Sequence, residues 1–503
     1  MLSKISNVND KFDYMKNMKH RLLSAIVMLS VLMCGSAKAE NIDIQTAKQL
    51  GAYYFSVATG AKAPVDPDNL VLAKQFDNPT LCVPALYAFN IEGDGFVVMS
   101  ASDCVEPVLA YSPVGNLNDV EKNPACLYML NSYAELVSSQ QNVEATASAE
   151  VRQMWDLLAD KKFTCDPESK AVLVQSKWGQ GDPDYPTFNV CCPTIGGKHV
   201  ITGCVATAMA MIIRFWEYPV KGSNSNPSGS NTAVWSWNNT NIRYDFSKDS
   251  NKFVYDSMPT TLKYNSEWNY KHAISKLMFA CGVTSKMDWG LEGSGTMSEY
   301  VVKALPQWFK YSPECAQRLR QSYNNSQWNA MLHDELETNQ RPVYYSASDP
   351  GGTGRDAAGH AFVIAGVSSA SENKYYVRWG WDGSSDGFYT LTPASSIEDA
   401  GGYHFSKGQA MIYKIHPKDD VSIEENSYIA PSPAYPNPAT DYMMVPADLP
   451  LNAYLSIYSI DGKLVDSHIV PANTKEYRLD LQGYAPGTYV YRLNGDAFKF
   501  TVR

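Results

Sequence analysis

The chain has 503 residues, of which 45% are hydrophobic and 19% charged, a balance that excludes a disordered chain and predicts about three globular units. The formal net charge of −10 argues against nucleic acid or an anionic membrane surface as the main partner.

The first predicted element is a leader. Lys16, Lys19, His20 and Arg21 precede an apolar run from Leu22 to Cys34, and small residues lead on to Ala37-Lys38-Ala39. A basic segment, a short apolar core and an A-x-A site are the order of a secretory signal peptide, here residues 1–39 with the signal starting at Met18. The apolar run is too short to cross a bilayer, so no stable membrane span is expected. Removal of the leader leaves nine cysteines, an odd number, so an exported chain keeps at least one thiol unpaired within itself. No CxxC pair and no Cys/His cluster with zinc spacing occurs, so no metal is expected.

Residues 40–170 read as a small α/β unit. Leu86–Ile91 and Phe96–Ser100 are apolar strands joined by Glu92-Gly93-Asp94-Gly95, a hairpin signature. Leu127, Leu130, Ala134 and Val137 mark one helix face, and Val151, Met154, Trp155 and Leu158 mark another. The polar stretch Ala159–Lys170, with Lys161 and Lys162, reads as an exposed, cleavable joint.

Residues 171–418 form the largest unit. Loops rich in Gly, Pro and Asn open it, and a helix over Cys204–Tyr218 is stopped by Pro219. Strands follow at Arg341–Ser346, His360–Val367, Lys374–Trp379, Gly387–Thr392 and Gln409–Ile415. Helix first and sheet later predicts an α+β domain. A linker at 419–430 leads into 431–503, where closely spaced prolines and then short strands predict a small β-sandwich.

Two segments carry chemistry. In Gly203-Cys204-Val205-Ala206-Thr207-Ala208 a cysteine opens a helix, where the dipole and free N–H groups favour a thiolate and can hold an oxyanion. A structural core cysteine would read the same way. Roughly 150 residues on, Gly359-His360-Ala361-Phe362-Val363-Ile364 sets a histidine at the mouth of an apolar strand, a rigid seat for a base that activates the thiol. His199, in a Gly-Gly-Lys-His loop, is the rival base.

These segments, with Trp178–Pro183 and Tyr376-Val377-Arg378-Trp379-Gly380-Trp381-Asp382-Gly383, resemble the streptopain family of papain-fold cysteine peptidases. Gly95–Ser100 and Glu106–Tyr111 resemble that family's inhibitory prodomain. The resemblance implies a papain-like core, Cys204 as nucleophile and His360 as general base and acid. It implies an oxyanion hole from Gln180 and the Cys204 N–H, Trp379 shielding the site, Gly401 and Gly402 in a mobile loop beside the substrate, and no cofactor. It also implies protein or peptide substrates and the chain's own prodomain as inhibitor. The family pattern has Asn where this chain has Arg378. A guanidinium only donates, so Arg378 is expected to turn away and a backbone carbonyl to hold the second nitrogen of His360.

The end of the chain resembles a type IX secretion sorting domain, carried by Tyr435-Pro436-Asn437-Pro438-Ala439, Ile460-Asp461-Gly462-Lys463, Gly487-Thr488-Tyr489 and the basic last residues. It implies outer-membrane secretion machinery as a partner and release or surface attachment after export. The combined reading is a secreted cysteine endopeptidase made as a zymogen. The alternatives are a catalytically impaired adhesin on the same scaffold, with Arg378 as the hint, and a transglutaminase-like acyl transferase.

Overall fold

A computed structural model describes residues 40–165, 171–222, 229–348, 359–368, 373–391, 408–418, 430–431, 433–447, 449, 452–460, 464–493 and 496–503. The expected leader, most of the expected linker, Lys170 and the pair Gly401 and Gly402 lie outside the described residues.

The N-terminal unit begins with helix α1 (Ile44–Thr59). Asp43 caps it by accepting from the N–H groups of Gln45 and Thr46, and Gly60 ends it at φ 63°. An antiparallel meander follows: β1 (Leu70–Asp77), β2 (Pro84–Ile91), β3 (Phe96–Ser100) and β4 (Val108–Ser112). Helices α2 (Pro124–Asn142) and α3 (Ala149–Ala159) complete it. Asn123 caps α2, and Pro124 sits at its first position, where a missing N–H costs nothing.

The central unit holds the short hairpin β5 (Thr194–Ile195) and β6 (Lys198–His199), helix α4 (Cys204–Trp216), the hairpin β7 (Thr232–Trp237) and β8 (Thr240–Asp245), and helices α5 (Trp268–Thr284) and α6 (Glu299–Trp308). Then come β9 (Ala316–Leu319), α7 (Asn325–His333), β10 (Val343–Ser348), β11 (Gly359–Val367), β12 (Lys374–Arg378), β13 (Gly387–Thr390) and β14 (Ala410–Tyr413). The single helix expected here proves to be several. Helix α5 escaped notice because nearly all of Ala273–Thr284 is buried. A helix wrapped by core on most sides shows no 3.6-residue stripe.

The first two units share one sheet. Its strand order is β1-β2-β3-β4-β13-β12-β11-β10-β14-β9, with every neighbouring pair antiparallel. The seam between the units is narrow: Tyr111 faces Phe388 and Ala110 faces Tyr389. Tyr111 and Phe388 stack at 5.0 Å. Gly387 lets the strands close, since a Cβ there would lie 2.8 Å from the Tyr111 carbonyl oxygen.

The C-terminal unit is all-β: β15 (Ala430–Pro431), β16 (Tyr442–Pro446), β17 (Ala453–Ser459), β18 (Leu464–Val470), β19 (Glu476–Asp480), β20 (Gly487–Leu493) and β21 (Asp496–Val502). A five-stranded sheet, β15-β21-β20-β17-β18, and the pair β16-β19 enclose Met443, Leu455, Ile457, Leu479 and Phe500. The opposite face of the larger sheet docks on the central unit. Register places Ser456 beside both Ser467 and Arg492. The two serines bond Gln340, and Arg492 donates to the Trp216 carbonyl. The Asn452 carbonyl takes the Val172 N–H at 2.9 Å.

Candidate active site

Gly203 caps α4 at φ 88°, and a Cβ there would lie 2.8 Å from Met287 and 2.9 Å from the Ser294 carbonyl oxygen. The chain can therefore make this approach only with glycine, and Cys204 becomes the first residue of the helix. Helix α4 packs against β11, whose second residue is His360. Cys204 and His360 line the same open cavity of about 1060 Å³, together with the glycine-bearing loop Asp288–Ser298 and the strand ends at Ala347 and Ala410. Ala361, next to the histidine, lines the same cavity.

The imidazole is fixed from behind. His360 Nε2 lies 2.7 Å from the Trp379 carbonyl oxygen. A carbonyl only accepts, so Nε2 carries the proton and Nδ1 keeps its lone pair. The rings of Phe362, Trp379 and Trp381 lie 6.1–6.3 Å from the imidazole. Trp379 is fully buried and does not line the cavity; it stands behind His360 and donates its indole N–H to the Ser385 carbonyl at 3.1 Å. Arg378 is turned away from the histidine, donating to the Val174 carbonyl at 2.8 Å and to Asp386 at 2.9 Å.

Gln180 is buried, and its carbonyl takes the N–H of Thr202 at 3.0 Å, which ties its segment to the turn before Cys204. It is not among the residues lining the cavity. His199 also lies outside that lining, with its Nδ1 2.8 Å from the Cys192 carbonyl oxygen.

Burial pushes the Cys204 thiol up, partly offset by backbone hydrogen bonds. Burial also pushes His360 down to about 4, partly offset by its bond to Trp379. Both shifts work against the thiolate that the helix start favours, because desolvation disfavours each charged form. All nine cysteines among the described residues are free thiols. Among those residues no three of His, Cys, Asp and Glu gather where they could hold a metal ion, and no helix is long and apolar enough to cross a membrane.

The Peptidase C10 family matches residues 178–389. Streptopain of Streptococcus pyogenes is 30% identical over 367 residues, covering 66% of this chain and 81% of streptopain. The chain belongs to the peptidase C10, or streptopain, family. Two further families match its ends: Spi protease inhibitor over residues 39–137 and Secretion system C-terminal sorting domain over 433–503. The thiol protease/hemagglutinin PrtT of Porphyromonas gingivalis is 27% identical over 475 residues, covering 92% of this chain and 51% of that protein. A solved fragment of Prevotella intermedia prointerpain A superposes with a TM-score of 0.52 at 25% identity, covering 69% of this chain and 99% of the fragment. This C10 protein is accordingly a cysteine-type peptidase with a papain-like α+β core. Its sorting domain marks it for type IX export to the cell surface or the medium.

Three parts of the C10 site had no sequence signal strong enough to single them out. Trp381 shares one motif with Trp379, and nothing in the sequence separates the two. The loop Asp288–Ser298 is marked only by Gly290, Gly293 and Gly295. Asp386 reads as an ordinary turn acid, yet it is 4% exposed and accepts from both Arg378 and the Trp379 N–H.

Proposed function

We propose that this C10 peptidase is a secreted endopeptidase made as a zymogen, with Cys204 as nucleophile and His360 as base. The observation that carries the reading is the His360–Trp379 bond. It leaves the Nδ1 lone pair as the imidazole's free acceptor, in the cavity that also holds Cys204. Nδ1 takes the thiol proton as sulfur attacks the scissile carbonyl carbon. The tetrahedral oxyanion is held by the Cys204 N–H at the start of α4 and by the Gln180 side chain. Collapse expels the amine, which leaves with the proton from His360, and a thioester remains on Cys204. Water, deprotonated by Nδ1, then releases the acid and regenerates the thiol. Arg378 is the residue that favours a non-catalytic binding protein. Its bonds to Val174 and Asp386 keep its charge from the imidazole, which supports hydrolysis instead.

We read residues 1–39 as signal, 40–170 as inhibitory prodomain, 171–418 as peptidase, 419–430 as linker and 431–503 as sorting domain. The prodomain's inhibitory role is supported by its grip on the turn behind His360. Asn123 donates to the Ser384 carbonyl at 2.9 Å, and the Tyr133 hydroxyl to the Thr390 carbonyl at 2.7 Å. Protein or peptide substrates, the prodomain and the outer-membrane secretion machinery are the partners. Cys204→Ala tests the reading: the precursor should fold, neither hydrolyse peptides nor process itself, and resist a thiol-directed peptidase inhibitor. Near-native hydrolysis by that variant would end it.

A further inference from the structure

His360 is held by a carbonyl group, so the rigidity of the base depends on what holds that carbonyl's residue. Trp379 follows the last residue of β12, and its N–H donates to Asp386 Oδ1 at 2.9 Å. The other carboxylate oxygen, Oδ2, accepts from Arg378 Nη1 at 2.9 Å. Arg378 Nε donates to the Val174 carbonyl at 2.8 Å. Next to Val174, the Leu173 N–H donates to the Ala365 carbonyl on β11 at 2.6 Å. The contacts thus close a circuit that starts and ends on the strand of His360.

Both members of the ion pair are buried, Arg378 at 0% and Asp386 at 4% exposure. Arg378 Nη2 has no partner among the described residues. A buried pair with an unsatisfied donor is a poor way to fill space, since apolar residues of similar volume are often as stable or more so. What the pair does supply is geometry. Asp386 pins the backbone of Trp379 from the N–H side, and Arg378 orients that carboxylate against a fixed carbonyl.

We propose that Asp386 is a positioning residue for His360, acting through the Trp379 backbone, with Arg378 as its buried anchor to segment 171–174. The inference rests on the assignment of His360 as the base. It gives Arg378 a place in the site although it cannot meet the imidazole: it stabilises a backbone substitute for a side-chain orienter.

Single substitutions would strand one buried charge, so the test uses pairs that remove both. Arg378→Met/Asp386→Asn keeps an amide oxygen for the Trp379 N–H. Arg378→Met/Asp386→Leu removes it. Each full-length precursor is matured with a trace of the native enzyme, and active sites are counted with an irreversible thiol-directed inhibitor. Per active site, the Asn pair should turn over at least about tenfold faster than the Leu pair, with KM values within about threefold of each other. A role in stability alone would change the fraction of active protein and leave kcat per site equal. Equal kcat values for the two pairs would overturn the inference. Cys204→Ala separates the two levels. If it stays active, the assignment of the nucleophile and its base fails. If it is inactive while the pairs are equal, only the role of Asp386 fails.

Discussion

Acidification should weaken the precursor through His360, and the size of the effect follows from its setting. Burial holds the imidazole down to about 4, against an ordinary value near 6.5. As pH falls through 6.5 the unfolded chain protonates this histidine, while the folded chain keeps it neutral. The unfolded state then binds more protons, so stability is lost between pH 6.5 and 4 and is unaffected by this group above 7. The full span corresponds to about 3 kcal/mol, most of it gone by pH 4.5. The assay is urea denaturation of the Cys204→Ala precursor at pH 7.5 and 4.5, with and without His360→Gln. Glutamine can still donate to the Trp379 carbonyl but does not titrate. Other acid-sensitive groups cancel in the comparison. The histidine form should lose about 2 to 3 kcal/mol more on acidification than the glutamine form. Equal losses in the two backgrounds would refute a buried neutral imidazole.

Gln180→Ala should lower kcat by roughly 10²–10³, the usual cost of one oxyanion donor, in a steady-state peptide assay. Cleavage between about Lys161 and Ala171 should switch activity on, and N-terminal sequencing of the product locates it; cuts beyond Val172 would remove residues that bond Asn452 and Ala365. Isolated residues 40–160 should inhibit the mature enzyme. Asn123→Ala should weaken that inhibition by up to about tenfold, roughly the 1 kcal/mol left when the half-buried Ser384 carbonyl loses its donor. Alkylation of Cys204 by iodoacetamide at pH 7 should be slow, because burial raises the thiol.

Much of this site was legible because its chemistry depends on local order. Gly203-Cys204 at a helix start and His360 at a strand mouth each announce themselves by composition and periodicity, and the structure puts both on one cavity. The departure at Arg378 was equally readable, because a guanidinium cannot accept a hydrogen bond. Its partner Asp386 was not: a buried acid in a Ser-Ser-Asp-Gly turn looks like any solvated one until the fold brings Arg378 to it. The shared sheet was also beyond sequence reading, because the seam between β4 and β13 joins residues far apart in the chain.

That seam bears on what the mature enzyme becomes. While residues 40–165 remain, β13 is an interior strand, paired on both sides. Their departure turns it into an edge, with the backbone groups that faced Ala110 and Tyr111 open to any extended chain. Such an edge invites pairing with a second molecule, and shortness is one of the ways natural sheets blunt that hazard. At four residues β13 is short, and only two of its positions faced β4. A fragment that fits there must bring side chains to match Phe388, as Tyr111 does. The released prodomain is therefore the strand best suited to return, and liberation of the enzyme becomes a competition between its dilution and its recapture.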